Sequence, residues 1–198
     1  MDLWEIENGL FDHGYLAVAG VDEAGRGPLA GPVHAGAVIL PRGIDIPGLN
    51  DSKKLSEKKR DLLYDVIMDK ALAWSIGTAT HEEIDGLNIL EATYLAMNRA
   101  IEGLAVTPAM CIIDGNRSTG IKYPNITVVG GDGKSASVAA ASILAKVSRD
   151  RYMLQMAEQY PEYAFEQHKG YGTKLHYERI REYGPSPIHR RTFLRKMH

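Results

Sequence analysis

The stretch Leu16-Ala17-Val18-Ala19-Gly20-Val21-Asp22-Glu23-Ala24-Gly25-Arg26-Gly27-Pro28 decides how the rest of the chain is read. Leu16–Val21 is a short apolar run interrupted by small residues, which is the pattern of a buried strand. It leads directly into two adjacent acids, Asp22 and Glu23. Gly25, Gly27, Pro28, Gly31 and Pro32 follow as a dense set of backbone punctuators. His34–Leu40 then resumes a strand-like pattern, so two strands flank a glycine-rich loop that carries charge at its start.

Working outward, Pro41–Asn50 reads as a surface loop, and Ser56 can cap a helix running to about Asp69. Leu62, Leu63, Val66 and Ile67 are expected to form that helix's apolar face. A strand is predicted near Leu72–Ala79, while His81–Gly86 fits either a helical turn or a loop. The clearest helix covers roughly Ile89–Leu104, where Leu90, Tyr94, Met97, Ile101 and Leu104 recur at helical spacing and make one buried stripe. Ala109–Ile113 and Ile126–Val129 are further strands. Ser135 to about Tyr160 is alanine-rich and free of breakers until Pro161, which predicts a long helix. His168–Thr173 is read as a loop, followed by two short basic helices separated near Gly184-Pro185. This order predicts an α/β domain with a mixed sheet rather than an all-parallel one.

At 198 residues and 21.8 kDa the chain fits one substantial domain, with room for a small accessory segment. No stretch approaches the ~20 apolar residues needed to span a bilayer, and no membrane association is expected. The start, with Asp2, Glu5, Glu7 and Asp12, lacks the basic and apolar run of a secretion signal, which favours a cytoplasmic location. Cys111 is the only cysteine, which excludes an internal disulfide and a multi-cysteine zinc site. Its apolar neighbours mark it as a packed core thiol. The formal net charge of −2 hides a split, because His168 to the end holds eight Lys/Arg against two Asp/Glu. A basic clamp for a polyanion fits that asymmetry, and so does a solvated helix.

Asp22-Glu23, Asp114 and Asp132 share a placement: each lies at or just beyond the end of an apolar strand, beside glycines. In an open α/β sheet, adjacent strand ends converge on one edge, where ligands bind. Gathered carboxylates repel one another unless a cation offsets them, and hard oxygen donors suit magnesium or manganese. Taken singly, each acid also fits a turn or a helix cap. Gly25 and Gly27 flank Arg26, leaving backbone amides free to hold a sugar or phosphate oxygen, although the same triplet also suits a tight surface turn. Lys53 and Lys54, after Asp51-Ser52, fit phosphate contacts or an ordinary solvated pair. Gly133-Lys134-Ser135 has the ending of a nucleotide-binding P-loop, but the glycine required five residues earlier is Val128.

With these residues in place, the chain resembles the bacterial type 2 ribonuclease H (ribonuclease HII) family. The matching strings are Gly20-Val21-Asp22-Glu23-Ala24-Gly25-Arg26-Gly27-Pro28, Asn50-Asp51-Ser52-Lys53-Lys54-Leu55, Ile113-Asp114-Gly115-Asn116 and Gly131-Asp132. They continue with Ala140–Val147, Arg149-Asp150 and His168-Lys169-Gly170-Tyr171-Gly172-Thr173. The resemblance implies a ribonuclease H-like fold, with a mixed central sheet flanked by helices and a small helical C-terminal extension. It divides the chain into a catalytic domain over 1–161 and a basic extension over 162–198 that contributes to substrate binding. It implies Asp22, Glu23, Asp114 and Asp132 as catalytic, metal-ligating acids for Mn2+ or Mg2+. It places ribose 2′-hydroxyl recognition at Gly25, Arg26 and Gly27, further substrate contacts at Ser52 and Lys53, and the sugar-packing tyrosine of the RNA–DNA junction at Tyr171. Arg26, in place of the threonine usual in type 3 enzymes, favours type 2. Gly130 departs from the lysine that many members carry before the Gly-Asp pair, with Lys134 nearby as a substitute charge.

The implied activity is an endonuclease cutting the RNA strand of RNA–DNA hybrids, and cutting 5′ of ribonucleotides embedded in duplex DNA. It would leave a 5′-phosphate and a 3′-hydroxyl by two-metal-ion catalysis, and serve removal of misincorporated ribonucleotides. A monomer is expected. Two other readings stay open from the residues alone: a structure-selective DNA nuclease on the same fold, and a catalytically silent hybrid-binding or scaffold protein.

Overall fold

Three glycines, Gly20, Gly36 and Gly77, set how closely helix and sheet approach in this protein. Five strands, β1 (Val18–Ala24), β2 (Val33–Ile39), β3 (Ala73–Ala79), β4 (Met110–Asp114) and β5 (Asn125–Val128), form one sheet in the order β3-β2-β1-β4-β5. They belong to a computed structural model that describes residues 2–195. Strand β1 pairs antiparallel with β2, and β2 with β3, whereas β1–β4 and β4–β5 are parallel. The sheet is therefore mixed, as the sequence predicts. Every residue of β2 is buried, and β1 is buried through Asp22, because helices cover both faces.

On one face runs the long helix α5 (Ala136–Gln159). A Cβ on Gly20 would lie 2.1 Å from the carbonyl carbon of Ser137, and one on Gly36 would lie 2.4 Å from the Ala141 oxygen. Only glycine lets the helix backbone rest on the strands there, and Ala139–Ala141 supply the matching small side chains. On the other face α4 (Ile89–Glu102) sits against β3, where a Cβ on Gly77 would meet the Ala96 oxygen at 2.2 Å. The stripe Tyr94, Met97, Ile101 and Leu104 is buried as expected, joined by Ala92, Ala96 and Ala100, while Leu90 is half-buried.

Helix α2 (Glu57–Lys70) begins at Ser56, whose hydroxyl accepts from Lys59 N. Its apolar face is narrower than predicted: Leu63 and Ile67 are buried, but Leu62 is 62% exposed. Leu62 neighbours Leu63 in sequence, which turns it about a quarter of the way round the helix from the packed side. The segment left open at His81 is a helix, α3 (His81–Leu87), started by a reciprocal capping box between Thr80 and Glu83.

The N-terminal helix α1 (Glu5–Asp12) was not anticipated. Its Glu7 is wholly buried and accepts from the Ser135 hydroxyl and Ser137 N, at the start of α5. An acid at a helix N-terminus meets free amides and the positive end of the helix dipole, so Glu7 is an internal cap rather than solvated charge.

After α5, the short helices α6 (Phe165–His168), α7 (Lys174–Tyr183) and α8 (Arg191–Leu194) complete the described chain. His168 ends a helix instead of opening a loop. The predicted pair of helices around Gly184 is present, and Lys196, counted in the basic tail, lies outside the described residues. The extension is sewn onto the loop after β1: Leu29 N donates to Gly170 O, Gly31 N to Ile188 O, and Arg190 N to Leu29 O. Cys111 is the buried thiol expected, pushed by burial up to about 12. Among the described residues no helix is long and apolar enough to cross a membrane.

Candidate active site

The parallel pairing of β1 with β4 brings the acids together. Asp22 and Glu23 occupy the last half of β1, Asp114 ends β4, and Asp132 sits in the 3-10 turn after β5. The register Val21↔Ile113 places Asp22 beside Asp114 across the ladder. The Asp114 Oδ1 accepts from Gly131 N at 2.6 Å, tying the turn that carries Asp132 to β4. Asp22, Glu23 and Asp114 line a cleft of about 260 Å³ together with Gly25, Arg26, Gly27, Ser52, Lys53, Ser142, Lys146 and Tyr171. Asp132 stands at its margin, joined to it through Lys53, whose Nζ lies 3.3 Å from Asp132 Oδ2.

Burial raises the pKa of Asp22 well above the usual carboxylate range, and Glu23 and Asp114 push it further. Burial also raises Glu23, against the pull of the Arg26 guanidinium 3.4 Å away. Asp132 is raised first by burial, with Asp51 and Asp114 adding to it and Lys53 opposing. For Lys53, the burial that would lower its pKa is outweighed by Asp132, so it is held firmly charged. The site thus gathers negative charge into a partly dry place and leans on two side-chain cations, Arg26 and Lys53.

An all-carboxylate donor set under mutual repulsion is the chemistry that a hard divalent cation relieves. The side chains are not closed around such an ion: among the described residues no three His, Cys, Asp or Glu side chains are gathered to hold one. Several carboxylate oxygens are instead engaged by protein donors: Asp22 Oδ1 by Glu23 N, Asp114 Oδ1 by Gly131 N, and Asp132 Oδ2 by Lys53. Their donor types fit Mn2+ or Mg2+, and binding would require Lys53 and Arg26 to yield.

The loop beyond Glu23 is built for close approach. Gly25 adopts φ +95, a region that L side chains avoid, and a Cβ there would strike the Arg149 side chain at 2.1 Å. Gly27 faces Tyr171, whose ring carbon would stand 3.7 Å from a Cβ at that position. Tyr171 is 42% exposed, with the Lys146 ammonium and the Arg149 guanidinium each within 6 Å of its ring centre. Ser52 is buried, and its hydroxyl meets that of Ser142 at 2.7 Å. Ser142 also lines the cleft and draws the raised pKa of Asp22 back down, so Ser52 is a wall residue that braces a neighbour of Asp22.

Sequence reasoning missed Ser142, Lys146, Arg149 and Arg190. The first three lie on one side of α5 at spacings of four and three, a periodicity that points one helix face at the cleft. Arg190 belongs to the basic C-terminal stretch that the sequence left open between a polyanion clamp and a solvated helix, and its burial fits neither. It is fully buried, and its guanidinium donates to the carbonyls of Gly25, Arg26 and Gly31. Gly130 takes φ +65, which suits glycine, and Lys134 folds back to donate to Val129 O. The run Gly133-Lys134-Ser135 therefore forms a helix start and not a phosphate cradle.

Comparison with known proteins shows the family and the fold. The family model described as Ribonuclease HII matches residues 19–196. A Ribonuclease HII from Endomicrobium trichonymphae is 54% identical over 193 residues, covering 97% of this chain and 92% of that protein. The crystal structure of ribonuclease H2 from Pyrococcus horikoshii OT3 superposes with a TM-score of 0.74 at 31% identity, covering 89% of this chain and 93% of that one. Bst-RNase HIII in complex with Mn2+ shares the fold at 21% identity, with a TM-score of 0.64 over 86% of this chain and 64% of that one. On the strength of the family match and these relatives, the chain belongs to the ribonuclease HII family.

Proposed function

We propose that this chain, a ribonuclease HII-type endonuclease of RNA–DNA hybrids and ribonucleotide-containing duplex DNA, selects its bond by a ribose and cuts on its 5′ side. The observation that carries this reading is one cleft shared by Asp22, Glu23 and Asp114, the Gly25–Gly27 loop, and Tyr171. Chemistry and ribose recognition would then act on the same nucleotide.

Asp22, Glu23, Asp114 and Asp132 would hold two divalent ions, Mn2+ or Mg2+, which supply water activation and leaving-oxygen stabilisation. A Mn2+ complex of the related Bst-RNase HIII supports that choice of ion. The chain's own residues do the selecting. Backbone amides of the Gly25-Arg26-Gly27 loop donate to the 2′-hydroxyl, which DNA lacks. Tyr171 packs on the neighbouring sugar. Lys53 and Lys146 offer charge to the phosphate, and the Ser52–Ser142 hydroxyl pair braces the cleft wall beside Asp22. Products carry a 5′-phosphate and a 3′-hydroxyl. Residues 1–161 form the catalytic unit in this reading, and 162–198 the extension that completes substrate binding. A cytoplasmic monomer belongs to the same reading, tested by fractionation and by light scattering.

The deciding experiment offers matched duplexes with no, one or several ribonucleotides, in Mg2+, Mn2+ or chelator. Cleavage only where a ribonucleotide is present, and only with a divalent ion, is expected. Cleavage of all-DNA duplexes would mark a structure-selective DNA nuclease, and binding without cleavage in either metal would mark a silent hybrid-binding protein.

A further inference from the structure

Two adjacent residues of the C-terminal extension each hold one half of the site just described. Arg190 donates from Nε to Gly31 O at 2.9 Å, from Nη1 to Arg26 O at 2.9 Å, and from Nη2 to Gly25 O at 2.5 Å. A peptide unit is planar and trans, so its C=O and the next residue's N–H point in opposite directions. Pinning the Gly25 carbonyl therefore fixes the direction of the Arg26 amide, and pinning the Arg26 carbonyl fixes that of the Gly27 amide. Both amides are turned away from Arg190, on the loop that lines the cleft.

His189 reaches the other half. Ser186 N–H donates to His189 Nδ1 at 2.8 Å, which makes Nδ1 the acceptor and leaves the proton on Nε2. His189 Nε2 then donates to His176 Nε2 at 2.9 Å, which leaves the His176 proton on Nδ1, facing Tyr171 O at 2.8 Å. One backbone amide thus sets the direction of the whole chain of donors, ending at the carbonyl of Tyr171. Both imidazoles are kept neutral by burial, as that chain demands. Just beyond, Asp85 of α3 accepts from Arg191 N at 2.8 Å and Thr192 N at 3.0 Å, anchoring the segment to the body.

We propose that the His189-Arg190 dipeptide is a positioning device that fixes the Gly25-Arg26-Gly27 loop relative to Tyr171, and so sets the enzyme's ability to act on a ribonucleotide. It rests on the assignment of ribose recognition to that loop and to Tyr171. Neither residue touches substrate. A rigid span between amide donors and sugar platform keeps the scissile phosphate in line with the acids, where small misplacement costs rate.

The test measures kcat and KM on a duplex with one embedded ribonucleotide for the parent, Arg190→Met, Arg190→Lys and Tyr171→Ala. Mn2+ affinity is read by calorimetry, folding by circular dichroism, and amide exchange at residues 25–27 by mass spectrometry. Arg190→Met should lose at least ten-fold in kcat, with KM and Mn2+ affinity within two-fold of the parent and faster exchange at 25–27. Arg190→Lys should recover part of the kcat. A folded Arg190→Met within two-fold of the parent kcat overturns the proposal, and so does a loss matched by an equal loss of Mn2+ binding. If Arg190→Met does not fold, Arg190→Lys decides: lower kcat with faster exchange at 25–27 supports the device, and parent-like values for either overturn it. Tyr171→Ala separates the two failures. If it loses activity while the Arg190 variants do not, only the positioning device falls; if it cleaves like the parent, the reading of the recognition site falls first.

Discussion

Lys53 Nζ stands 3.3 Å from Asp132 Oδ2, so the fourth acid already faces a cation supplied by the chain. The lysine side chain is 78% exposed, which makes the pair weak and easily displaced. A divalent ion at the acids has to compete with that ammonium. Lys53→Gln is therefore expected to tighten Mn2+ binding several-fold in the absence of duplex, read by calorimetry, while changing folding stability by less than about 1 kcal/mol. Weaker Mn2+ binding in the variant would show that Lys53 supports the metal site instead.

Asp22 combines burial with two acidic neighbours, and this predicts a trade between stability and activity. Its folded pKa is raised, so as pH climbs from the unfolded value toward the folded one, the native state holds its proton longer and loses stability relative to the unfolded chain. At pH 8 without metal, Asp22→Asn should raise Tm, because it removes a buried charge. Turnover should fall by about three orders of magnitude, the scale of losing a group that acts in the transition state. Asp114→Asn should fall likewise in activity, and Asp132→Asn less, at the margin of the cleft. Appreciable turnover by folded Asp22→Asn at ordinary Mn2+ would refute the catalytic assignment.

Gly20 is where α5 lies on β1, with helix backbone 2.1 Å from where a Cβ would stand. The obstacle is main chain, which cannot swing aside as a side chain can. Gly20→Ala should destabilise by about 3 kcal/mol or more, the upper end for overpacking a core. Urea melts of parent and variant would decide it, a difference below about 1 kcal/mol counting against the close packing.

Burial lowers His176 to about 4 and His189 to about 3, the neighbouring imidazoles adding to the effect. The unfolded chain takes up these protons near pH 6.5 and the native chain only near those lower values. Stability from this source is complete above about pH 6.5 and declines toward pH 4, by up to about 1.4 kcal/mol per pH unit for each histidine. Urea melts between pH 7.5 and 5 should show a shallower decline for His189→Asn than for the parent. Equal slopes would mean that these imidazoles do not resist protonation.

Tyr171 lines the cleft without touching the acids through a hydrogen bond, so substrate selection and metal binding are separable at this residue. Tyr171→Ala should keep Mn2+ affinity and lose at least ten-fold on a duplex with one ribonucleotide. Tyr171→Phe should retain most activity, since the ring supplies the packing. Parallel assays on continuous hybrid complete the comparison. An Ala variant that cleaves the single-ribonucleotide duplex like the parent would reduce Tyr171 to a loop anchor.

The sequence by itself determined the strands, the two principal helices and the placement of acids at strand ends, because apolar periodicity and glycine punctuation are local properties. Asp22, Asp114 and Asp132 were legible for that reason, each following its own apolar run. Local pattern misjudged residues whose role depends on what crosses them. Leu62 looked like part of a buried face and is exposed, Glu7 carried no sign of a structural role and caps α5, and Arg190, counted in the basic C-terminal stretch, is buried. Long charged side chains carry no sign in sequence of whether they meet water or distant carbonyls. Only the tertiary structure decided that, by bringing residue 190 back to residues 25 and 26 and leaving its guanidinium no solvent, so that three carbonyl oxygens are what hold it.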